Sequence, residues 1–107
     1  MLLNPKMQDG QLVVTVEGPR LDHKVAGEFQ SAMEKIIATG ATDIRLDLSR
    51  VEFMDAAGLG CVVKLNKLIG RAGTLELTGV TGKVDKVMRL TRMNRVFTIR
   101  DSTVGAV

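Results

Sequence analysis

Tryptophan and tyrosine are absent from the 107 residues, and only three phenylalanines occur. The core must therefore be aliphatic, and the aromatic platforms on which single-stranded nucleic acid stacks are missing. There is one cysteine, Cys61, and one histidine, His23. One thiol cannot form an intramolecular disulfide, and with a single imidazole it cannot build a zinc cluster, so no metal is expected. A catalytic Cys/His or Ser/His/Asp set would have to rest on these two residues alone. His23 reads as a loop or capping residue and Cys61 as a small buried thiol. No enzyme activity and no cofactor are expected. A long uncharged apolar run is also lacking, and residues 1–8 carry no basic-then-apolar leader. The expectation is a cytoplasmic protein without membrane insertion.

What is present fits one globular domain: 45% hydrophobic and 25% charged residues, with a net charge of +3. Asp9-Gly10 is a two-residue hairpin signal before the β-branched run Leu12–Val16, which stops at Gly18-Pro19. From Val25 to Ala38 the apolar positions Val25, Phe29, Ala32, Met33, Ile36 and Ile37 form one helical stripe. Ile44–Leu48 and Thr74–Thr78 alternate as half-buried strands. A helix is predicted from Gly58 to Ile69, with Asp55 as N-cap and Gly70 or Gly73 at its end. A third runs from Lys83 to Met93, ending at a left-handed Asn94, before a strand Val96–Ile99. The basic run Lys83, Lys86, Arg89, Arg92, Arg95 reads first as a solvated helix face and second as a surface for an acidic partner.

The order is β-β-α-β-α-β-α-β. The fold class is α/β, with a mixed, largely parallel sheet and helices mainly on one face. Residues 1–101 form the expected single domain, and 102–107 a frayed tail.

Gly58-Leu59-Gly60 is not a phosphate cradle. Val63 stands where a dinucleotide fingerprint has its third glycine, and Lys64 has no hydroxyl neighbour. What remains is a strand end at Phe53-Met54, one carboxylate, then small residues opening a helix. Such a start lets another backbone approach and favours an anion at its free N–H groups.

The stretch LDLSRVEFMDAAGLGCVV, Leu46 to Val63, resembles the core motif of STAS domains, in particular the bacterial anti-sigma factor antagonists. Those usually read D-L-S-x-V-x-F-[MI]-D-S-S/A-G-L-G. Leu21-Asp22 and VDKVMRLTRMNRVFTI (Val84 to Ile99) resemble further parts of the family, so the likeness covers nearly the whole chain.

The resemblance implies partner switching. Such a protein binds an anti-sigma factor carrying a GHKL-type serine kinase domain, with a serine phosphatase as a further candidate partner. The kinase phosphorylates the serine after the motif aspartate, and the phosphorylated form lets go. Asp55 falls on that aspartate and Ala56 on the phosphorylated serine; Ala57, Gly58, Leu59 and Gly60 match directly. The hydroxyl is therefore missing at the decisive position. Ser49 lies in the D-L-S turn, and neither it nor Thr78 or Thr81 is a better substitute.

The chain is thus expected to be an anti-sigma factor antagonist that is not phosphorylatable at Ala56, whether engineered or natural. The alternative is a docking subunit of a transporter or lipid-transport ATPase complex. The partner-binding surface implied comprises Asp22, Phe53, Met54, Asp55, Ala56, Ala57, Gly58 and Leu59. Met54 and Leu59 are expected to offer apolar contact, Ala56 and Gly58 close approach, and Lys64 and Lys67 positive charge. No direct nucleic-acid contact is expected, and the oligomeric state is left open.

Overall fold

The computed structural model describes residues 3–70 and 73–100. The expected tail, 102–107, lies outside them. Among the described residues, seven strands and three helices follow in order: β1 Leu3–Gln8, β2 Gln11–Val16, β3 Arg20–Leu21, α1 Ala26–Ala38, β4 Asp43–Asp47, β5 Phe53–Met54, α2 Ala56–Ile69, β6 Thr74–Thr78, α3 Gly82–Leu90 and β7 Thr98–Arg100. A 3-10 turn, Met93–Arg95, precedes β7.

The main sheet has the order β1-β2-β4-β6-β7. β1 and β2 form the antiparallel hairpin foreseen at Asp9-Gly10, and both turn residues have positive φ. The other pairings are parallel: Val14 opposite Leu46, Leu46 opposite Leu77, Leu77 opposite Ile99. The mixed, largely parallel sheet expected from the element order is what forms.

Alternation along the strands sorts the two faces. Val14, Val16, Ile44, Leu46, Leu75 and Leu77 are buried in one core with residues of all three helices. The opposite parity lines two open polar concavities that share Arg45, one with Glu76 and the other with Thr15, Asp47, Lys6, Glu17 and Arg50. Hydrogen bonds tie that face together, from Gln11 to Asp43 at 3.0 Å and to Glu76 at 2.6 Å.

The helices bury the stripes their spacing marks. α1 contributes Phe29 and Met33, α2 Leu59, Val62, Leu65 and Ile69, and α3 Val84 and Met88. Each large aliphatic side chain so buried favours folding by about 1.5–3 kcal/mol before the entropy of ordering is counted. Among the described residues, no helix is long and apolar enough to cross a membrane.

Three boundaries differ from expectation by two residues or more. α2 begins at Ala56, directly after its cap, because Ala is a good helix former and nothing there opposes the turn. α3 stops at Leu90, and Arg92, not Asn94, takes the left-handed conformation at φ 60°. The last strand accordingly starts at Thr98 rather than Val96. The larger omission is a second, two-stranded sheet in which β3 runs parallel to β5, Arg20 opposite Phe53 and Leu21 opposite Met54.

Candidate functional site

β3 and β5 bring the starts of α1 and α2 together. Pro19 has no N–H to give, but its carbonyl accepts from Glu52 N at 2.7 Å and Phe53 N at 3.1 Å. The chain then delivers Leu21-Asp22 beside Met54-Asp55. The Leu21 carbonyl accepts the Asp55 N–H at 3.4 Å and lies against the first turn of α2.

Asp55 links the two helix starts. Oδ1 accepts the Gly58 N–H at 3.0 Å, capping α2 as the sequence suggested. Oδ2 accepts the His23 N–H at 2.9 Å and faces His23 Nδ1 at 3.2 Å. The Gly58 N–H, and then those from His23, hold the Asp55 carboxyl below its ordinary value of 3.8, against an opposing effect of burial.

Asp22 does the corresponding work for α1. Its backbone carbonyl accepts from Val25 N and Ala26 N, and its carboxylate accepts from Lys24 N at 3.1 Å and Arg20 Nε at 2.9 Å. The Arg20 hydrogen bond is the main cause that lowers its carboxyl, and the Lys24 N–H adds to it while burial opposes. Asp22 is therefore an inward-facing structural acid, 4% exposed, under the rim of the site.

The surface above these carboxylates is small and open. Ala56 is exposed and Ala57 half-buried at the first turn of α2. Phe53 is half-buried, with the Arg20 guanidinium 4.5 Å from its ring centroid. Lys64 and Lys67 are exposed further along the helix.

Two expectations need correction. Met54 and Leu59 are 2% and 7% exposed and belong to the core, so they support the surface from beneath rather than offering apolar contact. Gly58 is likewise buried. A Cβ built there would stand 2.1 Å from the Leu21 carbonyl oxygen, so this glycine admits the protein's own β3 and not a partner. Gly60 has the free side: nothing lies within 4 Å of the corresponding position.

Arg20 and His23 join this neighbourhood although neither was counted with the site. Arg20 meets Phe53 only through the β3–β5 register, which two-residue strands do not announce. His23 is the loop residue its sequence context suggests, its N–H donated to Asp55. The cysteine and the histidine do not converge on each other. Cys61 donates its S–H to the Ala26 carbonyl at 3.4 Å, tying α2 to α1, and burial pushes the thiol above its ordinary 9.0. Ser49 sits in the turn after β4, its N–H bound to Asp47 Oδ1 at 2.9 Å.

The sequence matches the family model described as STAS domain over residues 3–106. It is 28% identical over 100 residues to an anti-sigma F factor antagonist of Paenibacillus polymyxa, covering 92% of this chain and 85% of that one. A Thermotoga maritima protein proposed as an anti-sigma factor antagonist has a crystal structure that superposes with a TM-score of 0.81. It is 28% identical, with 97% of this chain and 89% of that chain covered. SpoIIAA, a Bacillus cell fate determinant solved in its phosphorylated form, shares the fold with a TM-score of 0.70. Its identity is 22%, over 98% of this chain and 95% of its own.

Proposed function

The chain belongs to the STAS domain family, and on that premise we propose that it is an anti-sigma factor antagonist working by binding, with no phosphorylation switch at Ala56. Its partner in this reading is an anti-sigma factor with a GHKL-type serine kinase domain, met in the cytoplasm. The binding surface is the exposed start of α2: Ala56 and Ala57, the rim formed by Asp55, Phe53, Arg20 and His23, and Lys64 and Lys67 beyond. Asp22, Met54, Gly58 and Leu59 hold that surface in place from below.

The observation that carries the reading is the exposed Ala56 methyl beside the Asp55 carboxylate. Relatives of this kind are anti-sigma factor antagonists, and SpoIIAA exists in a phosphorylated form. A phosphoserine at this position would add roughly −1.5 to −2 charges. The Gly58 N–H that could receive it is already held by Asp55, whose carboxyl is kept low by that bond and by the His23 backbone N–H. Repulsion and desolvation would then break a packed complex. Alanine removes the acceptor hydroxyl and leaves the scaffold intact, so binding persists.

The test is phosphotransfer. Incubated with ATP and a GHKL-type anti-sigma factor kinase from the same genome, the chain should keep its mass, whereas Ala56→Ser should gain one phosphoryl group. The unmodified chain should also co-elute with that kinase. If Ala56→Ser stays inert with every such kinase and a pull-down instead returns transporter or lipid-transport ATPase subunits, the docking role replaces this one.

A further inference from the structure

We infer that α3 and the turn after it form a second docking surface, one that takes an acidic amphipathic helix of a partner protein. The chain has fifteen basic and twelve acidic residues, a net charge of +3. Residues 83–96 hold five of the bases (Lys83, Lys86, Arg89, Arg92, Arg95) and one acid, Asp85. Their net charge is +4, so the rest of the chain is net −1 and the whole positive excess lies in this segment.

All five bases are exposed. Arg89 is paired with Asp85 at 2.9 Å; among the described residues, the other four have no ion pair. The inner side of α3 is committed to the core through Val84 and Met88, both fully buried. Its outer side and the following turn nevertheless carry two large apolar side chains, Leu90 at 75% and Val96 at 51% exposure. Solvation of a basic helix face accounts for the lysines and arginines but gives Leu90 and Val96 nothing to cover them.

The combination selects the ligand. A nucleic-acid backbone would engage the bases and leave both apolar residues bare, and residues 83–96 include no aromatic for base stacking. An anionic bilayer would need a continuous apolar face, which α3 has already spent on the core. An acidic helix with an apolar stripe answers both features at once. α3 also packs against β5, the strand that leads into Asp55.

A fluorescein-labelled sixteen-residue peptide tests this, with Leu at every third and fourth position and Glu elsewhere, titrated with the full chain by fluorescence anisotropy. The unaltered chain should bind, more weakly at higher salt. Lys86→Glu/Arg92→Glu/Arg95→Glu should weaken binding about tenfold or more, and Leu90→Ser/Val96→Ser by a similar factor. Thermal melts of both variants should match the parent, since only exposed side chains change. Equal affinity in either variant overturns the inference. So does binding to a DNA duplex or to phosphatidylglycerol vesicles in place of the peptide. The outcome is independent of phosphotransfer to Ala56→Ser, so each reading fails alone.

Discussion

At the scale of single residues, the site depends on one absent side chain. Gly58 leaves room for the Leu21 carbonyl, and any Cβ there would meet it at 2.1 Å. Gly58→Ala should therefore destabilise the domain by about 2–3 kcal/mol, as overpacking against an unyielding backbone does. Gly60→Ala, two positions on, meets nothing and should stabilise by about 0.5–1 kcal/mol through helix propensity. Urea unfolding of the two variants gives opposite shifts in midpoint; equal shifts would refute the contact. The D-A-A-G-L-G motif suggests Gly58 as the point of close approach for a partner and says nothing of what separates it from Gly60. Only β3, which sequence did not reveal, separates them. The cap at Asp55 was legible because a carboxylate directly before a run of small residues is a local signal. Its second role, receiving the His23 N–H across 32 residues of chain, has no local signature.

Elements of five residues or more declared themselves, and elements of two did not. α1, α2, β4 and β6 are readable because a periodic pattern repeats along them several times. β3 and β5 present Arg20-Leu21 and Phe53-Met54, too short for any period, and their pairing rests on the Pro19 carbonyl and a loop return. The end of α3 was misplaced for a related reason. Asn94 has the better intrinsic tolerance for positive φ, yet Arg92 takes it, where the chain must turn before Phe97 reaches the core. At this scale the sheet order makes a prediction for amide hydrogen exchange. β4, hydrogen-bonded to β2 and β6 on its two sides, should hold the slowest amides. The outer amides of the edge strand β1 should exchange much sooner. Faster exchange in β4 than in β1 would contradict the strand order.

For the whole molecule, two acids set the response to pH at the point where both helix starts are tied down. Asp22 and Asp55 are each held below the ordinary carboxylate value, the first chiefly by Arg20 and the second chiefly by the Gly58 N–H. A lowered native value means that the unfolded chain binds protons more readily. The stability these groups contribute is thus fully present above pH ~4 and lost as pH falls through their native values. Denaturation midpoints followed from neutrality into acid should stay level in this respect and then drop. Asp55→Asn should flatten part of that drop, and an unchanged acid limb would sink the assignment. The largely parallel sheet and its covered face were foreseen from strand–helix alternation. The polar open face was foreseen only as the outward parity of the strands, because nothing in the sequence says that it curves into concavities.

Ala56 lies exposed at the helix start, so no neighbour would have to move for one additional oxygen. Alanine codons of the GCN box and serine codons of the UCN box differ in a single base. Under the proposed reading, one point mutation separates a lineage of this protein that answers to a kinase from one that does not. Loss and recovery of that control would then leave the fold, the cap and the rest of the surface as they are.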